Sequence, residues 1–255
     1  MQCHRLCLEL REAKLGSEHP QLIPVLNNLG AAAQQLLRYQ EAAEFYQRAL
    51  VLERKFLGDG HAATATSLAN LGSVYAQLRE HSQAVVSLSQ ALEVQCKVHG
   101  EEHPGVAATL HNLGNALAAC GRADKAVECL LRALQVWQKV QRETGAGAQD
   151  IAATLHSLGN VHCGRRDAVS AARCFAPALQ IREVLLGAEH PDTARTRHCL
   201  ALVRSTLGEA PSALQELEVS AAALLAKLGS RHPWAKQARV DADALREAIA
   251  LASRR

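Results

Sequence analysis

The chain has 255 residues, with 28 Lys and Arg against 25 Asp and Glu, and its net charge of +3 is dispersed. It therefore lacks the basic block that marks a nucleic-acid binder. Its longest apolar run, residues 221–226, is far too short to span a membrane. Aromatics make up only 3% and strand-forming runs are lacking, so the expected class is all-α.

Eight Cys lie scattered without a C-x-x-C pair: Cys3, Cys7, Cys96, Cys120, Cys129, Cys163, Cys174 and Cys199. Disulfide frameworks belong to short secreted chains, so reduced thiols in a cytoplasmic compartment are expected. The opening Met1-Gln2-Cys3-His4-Arg5-Leu6 lacks the apolar core of a signal peptide.

Punctuation reveals a repeat. Gly-x-x-His begins at Gly16, Gly58, Gly100, Gly187 and Gly229, spaced by 42 residues except for 87 between Gly100 and Gly187. Pro follows the His in all but one case, where Ala62 stands. Gly just past one helix and Pro opening the next is the stop-then-start signal between helices. Such a period is read first.

In chain order, residues 1–16 match the second half of a repeat, and the partner helix is missing. The chain is thus expected to be a fragment, or to expose an apolar edge through which it frays or self-associates. Repeats follow at about 19–57, 61–99, 103–142, 149–186 and 190–228, and residues 233–252 form a polar capping helix, making one array over 1–255. In each repeat a first helix sets Leu and Gly in a seam: Leu26, Leu29 and Gly30; Leu68, Leu71 and Gly72; Leu110, Leu113 and Gly114; Leu155, Leu158 and Gly159. Ala201 replaces Gly in the fifth. The facing helix brings Ala and one larger residue, as at Ala42, Tyr46 and Ala49, or Ala126, Leu130 and Ala133. A mid-helix Gly costs roughly 1 kcal/mol, so Gly114 is expected to permit close helix approach.

Leu71-Gly72-x-x-Tyr75 with Ala84 and Ala91, and the pair Ala171 and Phe175, resemble the tetratricopeptide repeat. The 42-residue period, the Gly-x-x-His-Pro linker, Leu26-Asn27-Asn28-Leu29 and Leu110-His111-Asn112-Leu113 resemble its kinesin light chain type. That resemblance implies a right-handed superhelical solenoid of antiparallel hairpins whose first helices line a concave groove. It also implies a non-catalytic scaffold that binds a protein or peptide partner. The alternative is the sensor or repeat portion of a larger signalling NTPase or motor-adaptor protein. No coiled coil of the kinesin light chain type is found. Chaperone-tail clamps of this repeat family carry Lys where His111 and His156 stand here, which disfavours that ligand.

Three residues before the seam Gly stand Asn27, Ala69, His111, His156 and His198; one residue after it stand Ala31, Ser73, Asn115, Asn160 and Leu202. Positions i and i+4 share a helix face, so His111 with Asn115 and His156 with Asn160 form one polar stripe. Asn27, Asn28, Asn70, His111, Asn112, Asn115, His156, Asn160 and His198 are therefore the expected peptide contacts. An acidic ligand is expected to bind more tightly near pH 6, through exposed His111, His156 and His198 becoming cationic.

No G-x-x-x-x-G-K-[ST], G-x-S-x-G or H-E-x-x-H motif occurs, and neither catalysis, a metal nor a cofactor is expected. His99 and His103 flank a loop, and the linker His read as loop and capping groups. His162 reads as a packed core residue, and Arg165-Arg166 as solvated turn charge. Trp137 shares its column with Arg11, Glu53, Gln95 and Arg182, read as an exposed face. It is either a partner hot spot or a cover for the irregular segment 143–150. Trp234 is expected to pack locally.

Overall fold

The computed structural model describes residues 2–253, with side chains from Leu6 onward. Met1 and the side chain of Cys3, read above as a reduced thiol, lie outside the described residues. The described chain is helical, in the order α1 Gln2–Leu15, a 3-10 turn Pro20–Leu22, α2 Ile23–Gln35, α3 Tyr39–Phe56, α4 Ala62–Gln77, α5 His81–His99, α6 Pro104–Ala119, α7 Ala123–Thr144, α8 Ala148–Gly164, α9 Ala168–Leu186, α10 Pro191–Thr206, α11 Ala210–Leu228 and α12 Pro233–Ala252. No strand occurs among the described residues. Two compact units result, Met1–Val136 and Trp137–Arg255, with the boundary inside α7.

In the first unit the helices pair as α2 with α3, α4 with α5, and α6 with α7. Small residues set the separation. A Cβ on Gly114 would stand 2.7 Å from Leu130 Cγ and 3.2 Å from the Ala126 carbonyl oxygen. The equivalent Cβ on Gly72 meets Leu88 at 2.6 Å, and on Gly30 the Tyr46 ring at 2.7 Å. The seam glycines thus have a packing reason. Ala42, Ala84 and Ala126 are fully buried in the same seams.

The second unit repeats the scheme with α8 against α9 and α10 against α11. Here the Phe175 ring lies on Gly159, 2.6 Å from where a Cβ would be. Ala201 takes the fifth glycine's place and packs with Ala213, Leu217 and Ala242. α12 lies on α11, and its outer charges pair as Arg246 with Glu218 at 2.7 Å and with Asp243 at 2.6 Å.

Each 42-residue joint has the same chemistry. Gly100 ends α5 at φ 84°, a left-handed conformation that glycine adopts without a Cβ clash. His103 then takes an extended conformation as N-cap, and its Nδ1 accepts the Gly105 N–H at 3.0 Å. His19, His61, His190 and His232 accept from Gln21, Ala63, Asp192 and Trp234 in the same way. Ring nitrogens thus do the work usually given to Ser, Thr or Asp oxygens. The insertion between α7 and α8 lacks this His, and Gly147 caps α8 with no side-chain bond.

Within the hairpins, one left-handed residue turns the first helix into the second. It is glycine at Gly121 and Gly208 but Leu37 (φ 60°), Arg79 (φ 62°) and Arg166 (φ 60°) elsewhere.

Candidate functional site

The first-helix face carries the expected contacts in three environments. Asn28, Asn115 and Asn160 are exposed, while Asn27, Asn70, His111 and Asn112 are half-buried. His156 and His198 are buried. His111 and Asn115 are brought together as the i, i+4 spacing required, with Nε2 and Nδ2 3.0 Å apart.

The two buried His correct the reading of an exposed stripe. His156 places Nδ1 3.3 Å from Thr196 Oγ1 in the next hairpin and sets its ring edge-on to Phe175 at 5.3 Å. His198 Nε2 lies 3.0 Å from the Asp241 carboxylate of α12. Burial depresses the His198 pKa against the opposing pull of Asp241. It pushes the half-buried His111 down to about 4. The His111 ring therefore stays neutral at pH 6 and cannot strengthen an acidic ligand there, and the His198 ring is harder to charge than a free imidazole.

A second correction concerns the column of Trp137, expected to be exposed. Glu53, Gln95 and Arg182 in that column are buried. Each reaches the residue 14 positions on, across the joint between hairpins. Glu53 Oε1 accepts from Ser67 Oγ at 2.9 Å and from Asn27 Nδ2 at 3.0 Å. Gln95 Oε1 accepts from Thr109 Oγ1 at 2.7 Å. Arg182 Nη1 donates to Thr196 Oγ1 and to the Asp192 carbonyl. Buried polar groups need such partners, and the pairs bind neighbouring hairpins in register. Sequence reading missed them because Glu, Gln and Arg are residue types expected at the surface. The recurring complementarity at a spacing of 14 is the signal that identifies them.

Trp137 itself lies half-buried against Gly147, whose Cβ would stand 3.3 Å from Trp137 Cε3. It covers the irregular segment. Trp234 packs locally between the Arg195 guanidinium, 4.4 Å from its ring centre, and the His232 ring at 5.2 Å. His162 is half-buried beside Asp167 at 3.5 Å. His99 and His103 stack with ring centres 4.5 Å apart, which their loop placement did not suggest. Among the described residues no group of three or more His, Cys, Asp or Glu is placed to hold a metal. No described helix is long and apolar enough to cross a membrane.

Helical hairpins with a glycine–alanine seam, repeated at 42 residues and joined by Gly-x-x-His, define a repeat scaffold. The chain belongs to the tetratricopeptide repeat family, whose sequence model matches residues 2–51, 25–97, 87–139 and 150–226. Among solved structures, the fold is similar to that of a kinesin light chain protein of Podosopora anserina with nearly identical repeats, at 24% identity and a TM-score of 0.65, covering 84% of this chain and 99% of the other. BtubC (BKLC) from P. vanneervenii is similar at 21% identity and a TM-score of 0.68, covering 84% of each chain. MamA is similar at 14% identity and a TM-score of 0.55, covering 84% of this chain and 98% of the other. No curated protein matches the sequence. Repeats of this family generally mediate protein–protein interactions, and their fold is generally non-catalytic.

Proposed function

We propose that the protein is a non-catalytic scaffold in the cytoplasm that takes a peptide or partner segment along its first-helix face. The observation that carries this reading is an exposed amide at the same place in each unit taken by itself, Asn115 after Gly114 in the first and Asn160 after Gly159 in the second. An amide offers both donors and acceptors, so it can bond an extended backbone of either direction. Family membership supports the partner class, and the scattered cysteines support a reducing compartment.

The test is a pull-down with the full chain followed by cross-linking. Captured peptide is expected to cross-link beside Asn115 and Asn160, and the double Asn→Ala variant to lose it without a change in melting temperature. Cross-links confined to the second-helix faces would overturn the reading.

We also place self-association on α1. Leu6 and Leu10 are 57% and 63% exposed there, on either side of buried Leu8. Light scattering is expected to show dimers that Leu6→Lys with Leu10→Lys converts to monomers.

A further inference from the structure

The second unit carries a cleft of about 640 Å³ between α8, α9 and α10. Leu202, Val203 and Ala168 supply its carbon surface over the buried Phe175, and Cys163 and Cys199 place thiols in its wall. Burial pushes the Cys199 thiol up to about 11 and raises that of Cys163. Both therefore present weakly polar sulfur rather than thiolate.

Two groups of another kind stand at the edge of this surface, Arg166 and Asn160. Both are exposed, and neither the guanidinium nor the amide bonds to any described residue. Arg166 is held on the tight α8–α9 turn, where its N–H donates to the Cys163 carbonyl at 2.9 Å. The adjacent Asp167 carboxylate is turned away to the Ser170 N–H at 3.0 Å. An unpaired cation thus borders an apolar cleft whose volume falls within the range of small-molecule sites.

The geometry points to a binding site for a small amphipathic carboxylate: an aliphatic or aromatic acid whose apolar body fills the cleft and whose head pairs with Arg166 and Asn160. Charge complementarity fixes the head group. A guanidinium presents donors only, in a planar fork that matches a carboxylate, and the Asn160 amide adds further donors. An extended peptide fits this cleft less well. Its backbone would need hydrogen-bonding groups on either side, and the buried His156 and His198 rings turn to Thr196 and Asp241 instead. This site shares Asn160 with the partner binding proposed above but does not rest on that reading.

Decanoate titrated into the full chain and followed by calorimetry tests the inference, with decan-1-ol as the uncharged control. Saturable 1:1 binding of decanoate is expected, about ten-fold tighter than that of the alcohol. Arg166→Gln is expected to erase that difference and leave the alcohol's affinity unchanged. Cys163→Trp, which fills the mouth from an exposed position, is expected to abolish both at an unchanged melting temperature. Non-saturating uptake of decanoate, or affinities that neither variant alters, would overturn the assignment. So would tighter binding of the uncharged peptide N-acetyl-Leu-Phe-Leu-amide, which would give the cleft to a partner's side chain.

Discussion

Glu53 and Ser67 meet inside the first unit, the carboxylate accepting the hydroxyl at 2.9 Å although neither side chain is exposed. The same two columns hold Gln95 with Thr109 and Arg182 with Thr196. An acid, an amide and a base thus occupy equivalent places between successive hairpins.

These pairs predict an order of sensitivities. Ser67→Ala removes a donor from a charged acceptor and is expected to cost about 1.5–3 kcal/mol, whereas Thr109→Ala removes one from a neutral amide and is expected to cost about 1 kcal/mol. Urea melts of the two variants measure the difference. The reverse order would mean that Glu53 draws little stability from Ser67.

The seam predicts intolerance of even one methyl group. Alanine favours helix by about 1 kcal/mol over glycine, yet a Cβ at residue 114 would press on Leu130 Cγ and the Ala126 carbonyl. Overpacking costs roughly 1–3 kcal/mol, so Gly114→Ala is expected to lower the melting temperature. Gly164→Ala, with nothing within 4 Å of its Cβ, is expected to raise it.

Left-handed turn residues offer a gain. Leu37 and Arg79 hold φ near 60° without being glycine, at a cost of roughly 1–2 kcal/mol for an ordinary residue. Leu37→Gly and Arg79→Gly are therefore expected to stabilise by up to about 1 kcal/mol, after the added chain entropy of glycine. A lower melting temperature in both would show that side-chain contacts outweigh the strain.

Burial of His111 sets a pH dependence. Its folded pKa of about 4 lies below the unfolded value of about 6.5, so between these limits the unfolded chain binds more protons. Stability is then fully present above about pH 6.5 and falls by up to about 3 kcal/mol as pH drops towards 4. His198 acts in the same direction. Urea melts from pH 7.5 to 4.5 are expected to show this slope, and His111→Gln to flatten it. An unchanged slope in the variant would place the protons elsewhere.

Much of the fold was legible because its signals are local or strictly periodic. The glycine of each joint, the proline after it and the Leu–Gly seam announce themselves within a few residues, and Gly114 duly meets Leu130. The candidate site was legible only in part. Asn115 and Asn160 lie exposed one residue after a seam glycine, but His156 and His198 are claimed by residues 40 and 43 positions away. A polar side chain carries no mark of a partner that only packing brings near. Arg166 stands exposed on the α8–α9 turn as its sequence suggests, and the cleft beside it, assembled from three helices, has no local sequence signal.

The histidine caps make the joints chemically alike. Each accepts a backbone N–H at Nδ1, so one ring lone pair closes every such joint. A change of any one of these His to Ala would release the same helix-starting N–H, at a cost of about 1 kcal/mol. Where α8 begins at Gly147, no ring is involved, and that junction has no such bond to lose.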